Sequence, residues 1–467
     1  MYTSSYFYRG VKKKSFFDEL PYSLLATKNI PLQKSSGNLY LTVGSDNNYA
    51  WSTGNFCFRP KNEDRNKLGQ NGIMAQLIYY ASESRLRGKI RRIENALEAD
   101  PVDVDTLGYL AITGDGLINN DIRTKVWPKL LLVNVYDIPK PTGGPKKRRQ
   151  HSFEEEKVFR KNKYWNQVHL DVKRSQRRFP PNLRVSRRTA LQGQVINVIM
   201  RVLCRNPELH YYQGYHDVAV TLLLVNGEEL ATALLEQISL HQLRDFMDHN
   251  MERTSQMLAL IHAIIEAADA TLERFLRRCD VGHMFALSWL ITWFAHVIND
   301  PDTIFRIFDF FLGTHPLMPI YLGAALVISH RDELLSCECE MSTVHHFLCS
   351  LPRHIPQNLE RLIEEAHALF KKYSPQKLES ASKRYLKESS AVKIHDKFVK
   401  ELSNQRPDVV LRRRRTALIS ANQTTDRLQP EGNSGSSGIF VKLAFWALSA
   451  GVGTMAFYVA TAAKKWM

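Results

Sequence analysis

From Ser84 to Tyr373 the apolar residues of this chain recur every three or four positions, and strand-like alternation is nearly absent. That spacing gathers apolar side chains on one face of a helix, whereas a half-buried strand needs them at every second position. RLRGKIRRIENALEA sets Leu86, Ile90, Ile93 and Leu97 near one stripe, and Asp100-Pro101 stops it. ALQGQVINVIMRVLCRN does the same with Val195, Val198, Ile199, Val202 and Leu203, ahead of Asn206-Pro207. The pattern predicts further helices over 228–246, 253–277, 281–299, 303–312, 317–336 and 341–350. No repeat of solenoid period is present. The expected fold class is all-α.

The flanks differ in composition. Residues 1–84 are rich in Ser, Asn, Gly, Tyr and Lys and sustain no helical period. They read as a disordered or loosely structured extension, with short strands lacking a clear hairpin signal. The helical domain is expected over 85–373. A charged, flexible linker is expected over 374–438, including LRRRR and EGNSGSSG. Within the domain, Pro139 to Ser152 reads as a basic surface loop. A continuous helix is expected from Phe153 to Phe179, where Pro180-Pro181 ends it.

Two apolar stretches raise the question of a membrane. Val281 to Ile298 carries no formal charge, but it contains two histidines, Ser288 and Thr292. The neighbouring IFRIFDFFL has Arg306 and Asp309 inside it. A buried central helix is the expected form. Leu443 to Ala463 is different: it is uncharged, mostly apolar and matches the ~20 residues that span a bilayer. Lys442, Lys464 and Lys465 flank it, and Trp446, Tyr458 and Trp466 lie near its ends. Residues 439–463 therefore read as a C-terminal transmembrane helix, a tail anchor, with 464–467 as a lumenal tail. Lys and Arg exceed Asp and Glu to leave a net charge of +16, which suits an anionic partner surface. The six cysteines show no framework spacing, which suits a reducing compartment. No signal peptide is evident, so the helical domain is expected to face the cytosol.

Three short motifs carry the chemistry. VHLDVKR contains Val168, Asp171 and Arg174; YYQGYHD contains Tyr211, Gln213, Gly214 and Asp217; upstream, DIRTKVW contains Arg123 and Trp127. Arg174 alone, among Lys173, Arg177 and Arg178, would read as a solvated basic face. In this order and within one helical region the three resemble the TBC family of Rab GTPase-activating proteins. That family carries RxxxW, IxxDxxR and YxQ motifs; here Val168 replaces the isoleucine. The resemblance covers Lys89 to Tyr373 and implies a two-lobed helical domain. It implies that Arg174 is an arginine finger and Gln213 a glutamine finger, both supplied in trans to a GTP-bound Rab. Such an arginine offsets charge developing during hydrolysis, and such a glutamine orients the attacking water. Asp171 is then expected to hold the Arg174 guanidinium. Tyr211 would fix Gln213, Asp217 would support the site, and Arg123 with Trp127 would anchor it structurally. Gly214 permits close backbone approach. With the apolar C-terminal segment, the resemblance is to the tail-anchored branch of the family at the endoplasmic reticulum, which implies early-secretory Rabs.

The same residues admit other readings. His216 and Asp217 are adjacent, so on a helix they point about 100° apart and form no His–Asp relay. No Ser or Cys nucleophile motif accompanies them. Cys337, Cys339, His345, His346 and Cys349 are zinc-ligand types, but C-x-C is shorter than the usual spacing; no metal is expected. No phosphate-binding loop is present. The protein is therefore expected to bring no cofactor, with Mg²⁺ and GTP carried by the Rab, and no intrinsic hydrolase site. No nucleic-acid module signature accompanies the basic charge, so no nucleic-acid partner is expected. The rival to a catalytic activator is a non-catalytic, membrane-tethered Rab-binding scaffold.

Overall fold

The computed structural model describes residues 32–35, 38–43, 47–50, 70–138, 154–175, 179 and 183–427. The expected transmembrane segment 439–463, the tail 464–467, the basic loop after Ile138 and Arg177-Arg178 lie outside the described residues. Among the described residues no helix is long and apolar enough to cross a membrane.

Three strands, β1 (Leu32–Ser35), β2 (Asn38–Val43) and β3 (Asn47–Ala50), form an antiparallel sheet in sequence order. Leu32 sits opposite Leu41, and Tyr40 opposite Ala50. The extension expected to be loose thus contains a paired meander. Its connections, Ser36-Gly37 and Gly44-Ser45-Asp46, lack the Asn-Gly or Asp-Gly pair that marks a hairpin most strongly.

The helices follow. The first are α1 (Gln70–Glu98), α2 (Val104–Ile112), α3 (Asn120–Leu130), α4 (154–159), α5 (Trp165–Arg174) and α6 (Val185–Arg205). Next come α7 (Tyr215–Asn226), α8 (Glu228–Leu240), α9 (Glu252–Ala268), α10 (Ala270–Arg278), α11 (Leu287–Ile291) and α12 (Pro301–Leu312). The last are α13 (Met318–Ser329), α14 (Arg331–Leu335), α15 (Met341–Ser350), α16 (Ile355–Lys372), α17 (Glu379–Glu388), α18 (Ser390–Leu402) and α19 (Asp408–Arg427). The helical fold class is as expected. Helix α1 begins well before the expected boundary at 85, because no proline interrupts Lys61 to Asp100. Helix α13, buried from Met318 to Val327, is the centre of the core and packs against α9 and α16.

Local capping explains where long helical patterns divide. Asp269 ends the expected 253–277 helix and caps α10, accepting hydrogen bonds from the Thr271 and Leu272 amides, each at 3.0 Å. The helix expected over 153–179 breaks at Asn162, whose side chain accepts from the Tyr164 amide at 2.9 Å. The uncharged stretch from Val281 is not one helix either. It has a 3₁₀ turn at His283–Ala286, the short α11, and then positive φ at Trp293 (49°) and Phe294 (63°). Trp289, Trp293 and Phe294 all bury their rings there, and Trp293 meets Phe308 and Phe311 edge-on at 5.1 and 5.5 Å. Ring packing accompanies the short turns and breaks that replace one continuous helix in this segment.

Asp309 of α12 is fully buried and gathers the earliest helices onto the late ones. It accepts from Arg123 Nη2 at 3.0 Å, Trp127 Nε1 at 2.8 Å and the Leu117 amide at 3.0 Å. One turn earlier, Arg306 donates to the Ala111 and Ile112 carbonyls, at 2.9 and 2.8 Å, and pairs with Glu360 of α16. A buried carboxylate is tolerated only when its charge is paired and its oxygens are hydrogen-bonded.

Two expectations are corrected. Residues 374–438 are not all linker: α17 to α19 continue the helical body. Tyr385 and Ser389 are buried and both donate to buried Asp245, Tyr385 at 2.8 Å. The apolar anchors Tyr385, Ala391 and Phe398 are too widely spaced among Lys, Glu and Ser to read as a stripe. Cysteine is the second case. Cys279 and Cys339 form a disulfide across a sequence separation of 60. This pairing is invisible to spacing, because the fold rather than the motif brings α10 beside the α14–α15 connection. It also engages one of the thiols a zinc site would need.

Helix α18 docks through histidines. His395 lies 3.3 Å from His241, stacks on it with ring centroids 5.3 Å apart, and meets His315 edge-on at 4.6 Å. Burial, then the neighbouring His395, lowers His241 to about 3, and burial lowers His395 to about 4. The folded rings therefore bind fewer protons than the unfolded chain between about pH 4 and 6.5, so stability falls as pH falls through that window. Each of the two rings is expected to contribute a slope of about 1.4 kcal/mol per pH unit there. Urea unfolding from pH 7.5 to 5 checks this, and His395→Phe should flatten the dependence. In the same assay at pH 7.5, Arg123→Met should cost about 3–5 kcal/mol by leaving Asp309 without its charge partner.

Candidate functional site

Helix α5 presents Arg174 as its last residue. Val168 and Val172 are fully buried and Asp171 nearly so, which fixes the helix face and leaves Arg174 in solvent. The Ser175 hydroxyl closes the end by donating to the Asp171 carbonyl at 2.8 Å. Among the described residues no hydrogen bond or ion pair holds the Arg174 side chain.

Asp171 does not grip that guanidinium, contrary to the expectation. Its carboxylate turns inward, accepting from Tyr211 Oη at 2.9 Å and from Gln167 Nε2 at 3.0 and 3.1 Å. Sharing a helix face was compatible with an Asp171–Arg174 pair, but a buried carboxylate takes the donors that are buried with it. The contact joins the two motifs directly. Burial, then the Asp171 carboxylate, raises the Tyr211 phenol far above its usual range, so it remains a proton donor to Asp171.

The segment carrying Gln213 is pinned on every side. His210 accepts or donates to Tyr164 Oη at 2.7 Å, and its amide donates to the Met247 carbonyl at 2.9 Å. Tyr212 Oη donates to the Ile291 carbonyl at 2.7 Å, and Tyr215 Oη bonds Ser239 Oγ at 2.6 Å. Gln213 itself is exposed, and among the described residues no hydrogen bond engages its side chain. It does not cap α7. The cap position is Gly214, at φ 105°, a conformation glycine adopts without strain. A Cβ there would lie 2.7 Å from Thr292 Cγ2, so the chain approaches the α11 segment as closely as glycine allows.

Asp217 is buried in the first turn of α7 and lies 2.8 Å from His296 Nδ1. The adjacent His216 is 3.7 Å away on its other oxygen, too far for a good hydrogen bond. The partner that matters is His296, from the broken stretch after α11. Its side chain is 56% exposed and so stands at the surface beside the Gln213 turn. The Asp171–Tyr211 contact joins the helix that ends at Arg174 to the segment carrying Gln213 and Gly214, with Asp217 in the turn of α7 that follows. Arg123 and Trp127 lie elsewhere, on Asp309. Helix α3 also packs on α7, and at the far end of α7 Thr124 Oγ1 donates to the Val225 carbonyl at 3.3 Å. Gln167, Thr292, His296 and Asp309 are the participants that sequence reasoning missed. The polar Ser288, Thr292 and His296 in an uncharged stretch were the available signal.

A family model of the Rab-GTPase-TBC domain matches residues 120–335. The chain is 44% identical over 387 residues to TBC1 domain family member 20 of Homo sapiens, spanning 82% of this chain and 91% of that protein. The chain belongs to the TBC family of Rab GTPase-activating proteins. It is also 34% identical over 285 residues to GTPase-activating protein gyp10 of Schizosaccharomyces pombe, over 60% of this chain and 72% of that one. The solved Ypt/Rab-GAP domain of Gyp1p is 16% identical with a TM-score of 0.46, covering 61% of this chain and 99% of that domain. The TBC domain thus acts on Rab GTPases as an activator of their hydrolysis.

Tyr211→Phe in the TBC domain removes a hydrogen bond to a buried charge, worth about 1.5–3 kcal/mol. Its urea midpoint and its stimulated Rab hydrolysis should both fall. Gly214→Ala should lower stimulated hydrolysis with little loss of secondary structure by circular dichroism, because the strain is local to the turn.

Proposed function

We propose that this TBC protein supplies Arg174 and Gln213 in trans to a GTP-bound Rab. The observation that carries the reading is the Tyr211–Asp171 hydrogen bond. It locks the element ending at Arg174 to the turn bearing Gln213, while both of those side chains stay exposed. A finger needs that combination: a rigid base, so that orienting the group costs little at the moment of reaction, and a free tip. Arg174 would offset the charge that develops between the β and γ phosphates. Gln213 would orient the attacking water. Mg²⁺ and GTP arrive with the Rab, and the chain itself supplies no cofactor.

The proposal extends to place. Leu443 to Ala463 is a tail anchor in the endoplasmic reticulum membrane, with the TBC domain in the cytosol and early-secretory Rabs as substrates. The sequence of that segment and the similarity to TBC1 domain family member 20 support this.

Single-turnover GTP hydrolysis across a Rab panel tests the finger assignment. Arg174→Ala should reduce the stimulated rate about 10³-fold or more, and Gln213→Ala should reduce it strongly as well. Unfolding midpoints should stay unchanged, since among the described residues no hydrogen bond or ion pair holds either side chain. Full stimulation by both variants would remove the dual-finger reading. Retained Rab binding without any stimulation by the unmodified protein would instead favour the scaffold.

A further inference from the structure

Among the described residues, the ion pairs that tie helix α19 to the TBC domain lie at or before Arg415. Lys129, itself almost fully buried, pairs with Asp408 at 2.6 Å, and Arg406 pairs with Asp100 at 2.8 Å just ahead of the helix. The last tie is a loose one, Arg415 to Asp137 at 3.9 Å. Every residue from Arg412 to Ser420 is exposed. Among the described residues neither Arg413 nor Arg414 has an ion-pair partner. At 100° per residue, Arg414 and Leu418 share a face, and Arg415 and Ile419 share the adjoining one. Leu418 is 63% exposed and Ile419 47% exposed.

A run of arginines alone is a solvated helix. Large apolar residues on the same turns as those arginines, about half exposed or more, are another matter. Arginine heads with leucine and isoleucine one turn away fit the boundary of an anionic bilayer, where cations meet headgroups and apolar tips enter the acyl edge. The chain beyond α19 indicates the same occupant. Residues 428–442 lie between Arg427 and the apolar segment, a reach of roughly 50 Å even when fully extended. If that segment is in a bilayer, α19 is confined near the surface of the same bilayer.

We propose that α19 lies along an anionic lipid surface through Arg414, Arg415, Leu418 and Ile419, giving the TBC domain a second membrane contact. The inference rests on the reading of Leu443 to Ala463 as a tail anchor. The contact would limit how the domain swings on its tether, and so how the two fingers approach a Rab on that membrane.

The test uses the full chain reconstituted with phosphatidylcholine vesicles, with or without phosphatidylserine. Flotation with the neutral vesicles reads the apolar segment alone. Backbone hydrogen exchange over 409–420 reads α19. Exchange there should slow in the phosphatidylserine vesicles and recover at high salt. The Arg414→Gln, Arg415→Gln double variant should weaken the association about thirty-fold, at about a kilocalorie per arginine. Equal exchange in neutral and anionic vesicles overturns the proposal, as does stronger protection by added RNA than by anionic lipid. Failure to float with neutral vesicles overturns the anchor instead. Anionic vesicles added to that same protein then still decide α19, by the same slowing or its absence.

Discussion

The carboxylate of Asp309 is the contact on which the helical body depends. It sits at zero exposure and takes donors from Arg123, Trp127 and the Leu117 amide, so α12 cannot part from the α2–α3 region without stranding a charge. Arg306 repeats the device one turn away, with backbone carbonyls of α2 and the Glu360 carboxylate. The Arg123–Trp127 pair is therefore structural at its root. Its link to function runs through α7, which α3 touches at one end and which carries the Gln213 turn at the other.

A second buried carboxylate organises the surface where Arg174 and Gln213 stand. Asp171 was expected to steady Arg174 and instead binds Tyr211. The difference matters physically. A salt bridge to the guanidinium would have to break before Arg174 could reach a phosphate. With Asp171 facing inward, the helix end is rigid while the arginine stays exposed. Tyr212 and Tyr215 do the same for the glutamine turn, and Asp217 holds His296 at its margin.

Helical segments are legible in the chain wherever an apolar stripe is long and clean, as in α6 and α12. They were misjudged where side-chain chemistry overrides periodicity. Asn162 and Asp269 divide expected helices by capping within them. Val281 to Ile298 looked like one buried helix because every residue is uncharged, yet its tryptophans and phenylalanine pack best with Trp293 and Phe294 at positive φ. Helices α17 and α18 hide in charged sequence because a few buried residues, Tyr385, Ser389 and Phe398, suffice to dock them on Asp245 and His241.

By itself the sequence determined the all-α class and the family, and it singled out the Arg174 and Gln213 motifs that the Asp171–Tyr211 contact joins. These are properties of residue type, order and period, and they survive without coordinates. Only the tertiary structure decided what each buried polar group binds. Asp171 chose Tyr211 over Arg174, Asp217 chose His296 over its neighbour His216, Asp309 captured the RxxxW pair, and Cys279 met Cys339. A buried charge or thiol takes whichever partner the packing brings within reach, and that partner lies far away in the chain.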